Sequence, residues 1–319
     1  MTRLRGYRPG DLEALVALTE AGQPADPVSR EWFAENILLD ANFDPDGLIV
    51  AVDGTGPVGF VHAVAGRREA GPIPVDPAGG WLTIGTVHPA ARRRGIGTKL
   101  VERALAFLRD SGAAWANWSA YPPAYFLPGL DAERYPEGLR LLERLGFRTL
   151  YQPVAMDLGL ATYAMPAAVT DLLAERNAEG FTFGPARYDD LPDVMTFAAD
   201  QLAPDWGEAI RQSVLRHGRP DRVVVCRDPD GVMVGFATYG AYRGLPERFG
   251  PFGVAPVRRG LGLGKVLLHV TLTQMRAEGA HSAWFLWTGP DTPAGRLYLD
   301  AGFTVTRTFH VLRADLTSK

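Results

Sequence analysis

One pattern occurs twice in this chain and constrains its fold more than any other feature. The segment VAPVRRGLGLGK spans Val254 to Lys265, and its relative VHPAARRRGIGT spans Val87 to Thr98. Other landmarks pair in the same order: RPGDLEAL with RYDDLPDV, GPVGFVHA with GVMVGFAT, and LLERLGF with LYLDAGF. Landmarks that recur in order along a chain predict two copies of one domain.

The first copy is longer because it carries two loop insertions, GRREAGPIPVDPAGG and AYPPAYFLPGLDAERYP. Segments rich in Pro and Gly are typical of surface loops. Between the copies, MPAAVTDLLAERNAEG predicts a helix that begins near Pro166 and ends before Gly180. We therefore predict an N-terminal domain at residues 1–158, a linker helix at 159–180 and a C-terminal domain at 181–319.

Each copy predicts the same order of elements. A helix is followed by two strands that meet at an Asp-Gly turn, then by a strand that leads into the glycine loop. An amphipathic helix, a strand, a helix ending in Gly-Phe and a last strand complete the copy. The predicted fold class is α/β, with a mixed, mostly antiparallel twisted sheet flanked by helices, present twice.

Composition excludes several functions. The net charge of −3 provides no overall basic field, which argues against nucleic-acid binding. No apolar run is long enough to span a membrane and the N-terminus lacks the apolar segment of a signal peptide, so we expect a cytoplasmic protein without membrane partners. The one cysteine, Cys226, excludes an internal disulfide. No Cys/His cluster has metal-ligand spacing, so we expect no metal.

The glycine loop suits an anion. Its glycines lack the spacing of the dinucleotide-binding fingerprint, and Val266 follows Lys265 where a P-loop needs Ser or Thr. What remains is R-x-x-G-x-G between a strand and a helix. Glycines let backbone N–H groups approach an anion, and unpaired N–H groups at a helix N-terminus attract it. A plain turn is the simpler alternative, but the repetition in register favours a pyrophosphate site.

These residues resemble the GNAT superfamily of acyl-CoA-dependent N-acetyltransferases. Both copies carry R-x-x-G-x-G after a V-x-P strand end, so the resemblance covers nearly the whole chain as a tandem GNAT. It implies acetyl-CoA as co-substrate, with the pyrophosphate on the loop and the pantetheine along the preceding strand. The cofactor-binding residues it implies are Phe252, Val254, Arg259, Gly260, Gly262, Leu263, Gly264 and Lys265, and in the first copy Val87, Arg92, Arg93, Arg94, Gly95, Gly97 and Thr98.

The resemblance also implies a catalytic tyrosine. Tyr298, in RLYLDAGF, matches the family's proton donor to the leaving thiolate, whereas the first copy has Leu142 at that position. Glu247 is the candidate base, and a solvated charge is the alternative for it. His62 and His88 are conceivable bases in the first copy. We therefore predict chemistry in the C-terminal domain and an N-terminal domain that keeps a CoA-binding loop without the acid.

The acceptor is the least constrained part. Aromatic and acidic side chains near the expected cleft suit a small cationic amine, and an amino sugar is favoured. The candidate substrate-binding residues are Asp205, Trp206, Trp284, Trp287 and Asp291. A peptide amine, an aminoglycoside, a polyamine, a mycothiol-type precursor or a longer acyl donor stay open, as does a non-catalytic CoA-binding or regulatory protein. The expected assembly is a monomer or a homodimer.

Overall fold

A computed structural model describes residues 2–66, 75–122 and 125–317. Residues 67–74 of the first predicted insertion and 123–124 of the second lie outside the described residues. The strands are β1 (Arg3–Arg5), β2 (Leu48–Asp53), β3 (Gly56–Ala65), β4 (Gly79–Val87), β5 (Trp115–Trp118), β6 (Arg148–Tyr151), β7 (Val154–Gly159), β8 (Thr182–Pro185), β9 (Val223–Arg227), β10 (Met233–Tyr239), β11 (Phe249–Val254), β12 (Ser282–Thr288), β13 (Thr304–Thr308) and β14 (Val311–Asp315).

The helices are α1 (Leu12–Gly22), α2 (Arg30–Phe33), α3 (Ile96–Asp110), α4 (Pro136–Arg144), α5 (Ala167–Ala178), α6 (Leu191–Gln201), α7 (Pro204–His217), α8 (Leu263–Ala277) and α9 (Pro293–Asp300). A π-helical turn, Ala34–Leu38, continues α2. In the part of the chain that the structure describes, no helix has the length and apolar character needed to cross a membrane.

The chain forms two compact units. Unit 1 comprises Met1–Pro153 and Thr308–Lys319, and unit 2 comprises Val154–Arg307. In unit 1, seven strands lie in the order β1-β2-β3-β4-β5-β14-β6, and every neighbouring pair is antiparallel except β4 with β5. In unit 2, one sheet has the order β11-β10-β9-β8 and another the order β12-β7-β13.

Alternation along the strands explains why helices cover both faces of each sheet. In β2, Leu48 and Val50 pack with α1 and α2, while Ile49 and Ala51 pack on the α3 side. In unit 2, Val223 and Val225 of β9 face α6 and α7, while Val224 and Cys226 pack with the first turns of α8. Because side chains alternate across a strand, apolar residues at consecutive positions require a helix on each face. The predicted fold class is confirmed.

The compact units do not follow the repeats at their last strands. β7 closes the first repeat in sequence but lies between β12 and β13 of unit 2. β14 closes the second repeat but pairs with both β5 and β6 of unit 1. The observed division therefore differs from the ranges 1–158 and 181–319 at these two strands, which we call the exchanged strands. The predicted linker range contains α5, which belongs to unit 2.

Candidate functional site

The cleft of unit 1 begins where β4 and β5 separate. The two parallel strands pair from Gly79 opposite Trp115 to Leu82 opposite Trp118, and the Ser119 N–H donates to the Leu82 carbonyl at 2.8 Å. Beyond that point β4 continues to Val87 without pairing to β5. The separation leaves one edge of β4 open from Thr83 onward, as a ligand lying along a strand requires.

A bulge lies at the start of this open edge. Ala63 of β3 is opposite Leu82 and His62 is opposite Ile84, so Thr83 is an extra residue of β4. The Thr83 Oγ1 lies 2.7 Å from the Nδ1 of the buried His62. Burial lowers the pKa of His62 to about 3, so its imidazole is neutral at physiological pH. This makes His62 a weak proton acceptor.

A cavity of about 1030 Å³ occupies the cleft and reaches the glycine loop of the first repeat. Gly95 caps α3 with a positive φ of 74°, which favours glycine, and the first backbone hydrogen bond of the helix runs from the Lys99 N–H to the Gly95 carbonyl. The preceding N–H groups of the first turn are therefore left for an anion. The loop residues lining the cavity are Val87, Arg92, Arg93, Gly95, Ile96, Gly97 and Thr98.

The lining of this cavity is more basic than the chain as a whole. The lining contains five arginines and three carboxylates. The arginines are Arg92, Arg93, Arg134, Arg140 and Arg144, and the carboxylates are Asp26, Asp131 and Glu137. Arg140 and Arg144 lie one turn apart on α4 and share a face of the helix. The chain as a whole carries a net charge of −3, so an anion can be attracted only by a local excess of positive charge. The lining of this cavity provides such an excess.

The predicted arginines of the first loop differ in their surroundings. Arg92 is tied into the fold, because its guanidinium donates to the Val87 carbonyl at 3.1 Å and to the Gly22 carbonyl at 2.9 Å. Arg93 is largely exposed and lies 3.5 Å from Glu137. Arg94 is exposed but is not among the cavity-lining residues. Arg93 is thus the loop arginine most available to a ligand.

The glycine loop of unit 2 has a different neighbour. Gly262 caps α8 with a φ of 76°, matching Gly95. A Cβ at Gly262 would lie 2.8 Å from Leu172 Cδ2 of α5, whereas a Cβ at Gly95 would meet none of the residues that the structure describes within 4 Å. Arg259, Gly260 and Lys265 are exposed, while the Leu263 side chain is buried in the core. In unit 2 the linker helix therefore packs against the loop that the sequence assigned to a pyrophosphate.

Tyr298 lies inside a cluster of aromatic rings. Its ring centroid is 4.4 Å from that of Phe285, 6.0 Å from Phe249 and 6.0 Å from Phe252. Within the described residues its hydroxyl makes no hydrogen bond. Burial raises the pKa of Tyr298, so the phenol stays protonated at neutral pH. Its role as proton donor to a thiolate stays a prediction.

Glu247 is held by hydrogen bonds at the start of β12, and its role as the base stays a prediction. Its carboxylate accepts hydrogen bonds from the N–H groups of His281 and Ser282 and from the Ser282 hydroxyl, which fixes the start of β12. These bonds lower the pKa of Glu247. Arg248, the residue before β11, forms an isolated parallel bridge with Trp284 of β12, and the Trp284 N–H donates to the Glu247 carbonyl at 3.0 Å. Glu247 therefore lies at the closed end, where the two chain segments are joined. The sequence placed it beside the right strand but could not say which end opens.

Trp284 shares this closed end. It lines a separate cavity of about 250 Å³ with Glu247, and the Arg248 guanidinium lies 5.6 Å from its ring. Trp206 packs its ring 6.2 Å from Phe236 within the core of unit 2. Both side chains are half-buried, and their roles in binding an acceptor stay predictions.

The other predicted acceptor residues are dispersed. Asp205 lies in the first turn of α7, where burial raises its pKa. Asp291 is exposed, and the cap of α9 is made by Thr292, whose side chain accepts from the Gly295 N–H. Trp287 is half-buried on β12. Their roles in binding an acceptor stay predictions.

Two residues that sequence reasoning missed meet in the cleft of unit 1. The Tyr135 hydroxyl donates to Asp26 Oδ2 at 2.7 Å, and both residues line the large cavity. Asp26 lies between α1 and α2, in the part of the first repeat that corresponds to the segment of Asp205 and Trp206 in the second. Asp131 and Tyr135-Pro136 are a helix-start signal that lies at the end of the segment AYPPAYFLPGLDAERYP, whose Pro and Gly content predicts a loop. The equivalence of the two repeats is therefore the sequence signal that points to Asp26, and the helix-start pattern is the one that points to Tyr135.

The sequence model of the acetyltransferase (GNAT) family matches residues 13–122 and 188–303. Mycothiol acetyltransferase of Thermobispora bispora is 27% identical over 311 residues, with 93% of each chain covered. Mycothiol acetyltransferase of Clavibacter michiganensis is 28% identical, covering 92% of this chain and 89% of its relative. The match to the family model covers both repeats.

Solved structures share the fold. A glucosamine N-acetyltransferase region of a fungal multi-domain β-N-acetylglucosaminidase superposes with a TM-score of 0.79 at 18% identity, covering 98% of this chain and 38% of that longer one. A GCN5-related N-acetyltransferase from Sphaerobacter thermophilus gives 0.69 at 21% identity, covering 99% and 96%. A tandem GNAT protein from clavulanic acid biosynthesis gives 0.63 at 16% identity with full coverage of both.

Proposed function

The chain belongs to the acetyltransferase (GNAT) family and is an acyltransferase, and from that premise we propose that it transfers the acetyl group of acetyl-CoA to a primary amine of a small molecule. Transfer is by direct attack in a ternary complex, so the thioester and the amine must meet in one cleft. The location of bound acetyl-CoA therefore decides which unit performs the chemistry.

We place acetyl-CoA in unit 1, and one observation carries this choice. The cavity of about 1030 Å³ joins the glycine loop, the open edge of β4 and five arginines in one continuous space. Backbone N–H groups at the start of α3 and Arg93 would hold the pyrophosphate, and the edge of β4 from Thr83 to Val87 would hold the pantetheine. This differs from the sequence-based choice of unit 2.

The chemistry asked of unit 1 is limited. The attacking amine must lose a proton, the tetrahedral oxyanion must be stabilised, and the thiolate must be protonated. Holding both reactants in one cleft supplies much of the rate on its own, about 7–11 kcal/mol in the best-oriented systems. The first repeat has Leu142 where the family has its tyrosine. Leu142 is a buried residue that lines the cavity, and its side chain has no proton to exchange.

Unit 2 is the second candidate for the chemistry. Tyr298 favours it, because a protonated phenol is present where the first repeat has Leu142. Against it stand the packing of Leu172 on Gly262 and the use of Glu247 as a structural cap. For this candidate, Tyr298→Phe should lower turnover and leave acetyl-CoA affinity unchanged, and an unchanged rate would remove Tyr298 from the mechanism.

An amino sugar is the proposed acceptor. The fungal relative of this fold is a glucosamine N-acetyltransferase region, and the related sequences are mycothiol acetyltransferases. In unit 1 the acidic pair of Asp26 and Asp131 within the basic cleft suits an acceptor that arrives as a cation. Glucosamine is therefore the first acceptor to test.

Calorimetric titration of acetyl-CoA tests the cofactor site. We compare the wild type with the double variant Arg93→Glu/Arg94→Glu in unit 1 and with Arg259→Glu in unit 2. These positions are exposed, so charge reversal should weaken binding without unfolding the chain. We avoid Arg92, because its two bonds to backbone carbonyls make it structural.

We expect one tight site that the unit 1 variant weakens at least about tenfold and the unit 2 variant leaves intact. Loss of binding only with Arg259→Glu would move the cofactor to unit 2 and restore Tyr298 as the candidate acid. Binding without thiol release in the presence of glucosamine and other primary amines would favour a CoA-binding regulatory protein. No binding of acetyl-CoA would reject the proposed function.

A further inference from the structure

We propose that Tyr135, backed by Asp26, takes the proton from the attacking amine in the cleft of unit 1. This inference rests on the proposed function, because it needs the thioester in that cleft. It assigns the acid–base role of the first repeat to a phenol at the start of α4, two helical turns from Leu142. Leu142 itself has no proton to exchange.

Asp26 is fixed to the β4 wall of the cleft. The Gln23 side-chain amide donates to the Gly85 carbonyl at 2.8 Å, and the Asp26 N–H closes a turn onto the Gln23 carbonyl at 2.9 Å. Arg92 holds the end of α1 through the Gly22 carbonyl. Asp26 is 8% exposed, so its carboxylate is held at the cleft with little freedom to swing into solvent.

Tyr135 is fixed to the opposite wall. It occupies the N-cap position of α4, and its N–H donates to the Asp131 carbonyl at 2.9 Å. The buried Asp131 carboxylate accepts from the N–H groups of Glu133 and Arg134, both at 3.1 Å, which shapes the turn before the helix. Pro136 at the first helical position prevents the turn from shifting.

The 2.7 Å bond from Tyr135 to Asp26 thus joins two independently anchored walls, and both side chains line the cavity. A phenolic oxygen both donates and accepts, so one whose proton is directed to Asp26 is oriented to accept from a substrate N–H. A hydroxyl in this arrangement relays a proton rather than supplying one. Two rigid supports for one polar pair indicate more than chance packing.

The relay balances. The amine attacks in its neutral form, after its ammonium has released one proton to solvent, and its nitrogen forms a bond to the thioester carbon as the carbonyl π pair moves to oxygen. An N–H proton then passes to the Tyr135 oxygen as the Tyr135 proton passes to Asp26. The C–S bond then breaks and its electron pair leaves with the sulfur. The proton on Asp26 returns through Tyr135 to the thiolate, which regenerates the starting pair and releases coenzyme A as a thiol.

Other polar groups at the cleft are committed elsewhere. His62 is buried and a weak proton acceptor, and Thr83 is bonded to it. The Ser119 hydroxyl donates to the Leu127 carbonyl. Asp131 accepts from the turn that positions Tyr135. Glu137, the remaining carboxylate of the lining, is exposed and lies 3.5 Å from Arg93. The Asp26–Tyr135 pair combines a proton acceptor with a hydroxyl that lines the same cavity.

The test uses the full chain with glucosamine and acetyl-CoA. Tyr135→Phe keeps the ring and removes the relay. Asp26→Asn keeps an oxygen that can accept from the phenol but cannot take up a proton. We expect each variant to lower kcat about 100-fold, with Kd for acetyl-CoA and Tm near wild type. Tyr151→Phe and Asp110→Asn, at exposed positions of unit 1, are the matched controls and should keep wild-type kcat.

A structural role predicts a different pattern. If the pair only holds the walls together, Asp26→Asn should behave as wild type, because its amide oxygen preserves the bond. Wild-type kcat in either variant would overturn the proposal. If Tyr298→Phe abolishes turnover while both unit 1 variants keep it, the chemistry belongs to unit 2. If the wild type itself releases no thiol with any primary amine despite binding acetyl-CoA, the proposed function fails and the relay fails with it.

Discussion

At the scale of single residues, Asp11 and Asp190 show how the two repeats reuse one device. Each carboxylate accepts from the N–H three residues before it, at 2.8 Å from Arg8 and 2.7 Å from Arg187. Each also binds a guanidinium from a strand of its own unit, Arg5 for Asp11 and Arg227 for Asp190. The shared R-x-x-D spacing therefore encodes the start of α1 in one repeat and of α6 in the other.

These bonds predict a loss of stability in acid. The hydrogen bond from the Arg5 side chain lowers the pKa of Asp11. The pKa of Asp190 is lowered mainly by the hydrogen bond from the Arg187 N–H and further by the hydrogen bond from the Arg227 side chain. Because both pKa values are lower in the folded state, their stabilisation is complete above the unfolded value of about 3.9 and is lost as pH falls below it. Asp11→Asn and Asp190→Asn should each reduce the free energy of unfolding at pH 7 by about 1–3 kcal/mol.

Urea unfolding at pH 7 and pH 3 measures this. The difference in free energy between wild type and each variant should shrink at the lower pH, since protonation removes the same charge. A constant difference at both values would mean that the carboxylates act by shape and not by charge. Asp110→Asn, exposed at the end of α3, serves as the control.

At the scale of elements, α5 is the clearest contrast between the repeats. It packs Leu172 against the Gly262 cap of α8, and α3 has no such neighbour at Gly95. A helix start can bind an anion only if its N–H groups are accessible. The presence of a glycine loop is therefore insufficient evidence for a bound pyrophosphate.

Shortening Leu172 should expose the second loop. We expect Leu172→Ala to add a second, weaker acetyl-CoA site in calorimetry, because the side chain packed on Gly262 is removed while Arg259 and Lys265 remain exposed. Val169→Ala, at a buried position on the same helix, controls for general loosening of α5. A stoichiometry of one in both variants would show that Leu172 does not obstruct the loop.

The elements could be predicted far better than the site. The short apolar run in LIVAVD and the helical spacing after each glycine loop are local patterns, so strands and helices follow from neighbouring residues. Which side chain fills a cleft depends on distant parts of the chain. Leu172 reaches Gly262 from another helix, and Glu247 lies at the closed end of its strand pair through bonds to His281 and Ser282. Asp26 and Tyr135 are likewise distant in sequence and come together only in the folded chain.

At the scale of the whole molecule, the exchanged strands β7 and β14 are what sequence could not provide. Both have ordinary strand patterns, and a strand's partner is set by register and packing across the chain rather than by its own residues. In unit 1, β14 lies between β5 and β6 and bonds to both. A domain cut at the repeat boundary therefore loses an interior strand.

Fragments test this directly. Residues 154–307 keep β7 and should unfold cooperatively on heating, whereas residues 159–319 lack β7 and carry β14 without its partners. We expect the second fragment to show a lower Tm or no cooperative transition, as measured by circular dichroism. The two fragments are of similar length, so size does not explain a difference. Equal transitions would mean that the exchanged strands contribute little to stability.

The exchanged strands also govern how such a protein can recombine. A single crossover in the segment between the repeats would join the halves of two parental genes. The seven-stranded sheet of unit 1 and the sheet β12-β7-β13 of unit 2 would then contain strands from both parents. A double crossover that transfers residues 154–307 as one block would keep each sheet from a single parent. Residues 154–307 are thus the segment that recombination can exchange without mixing strands within a sheet, and they lie between two segments that fold together as unit 1.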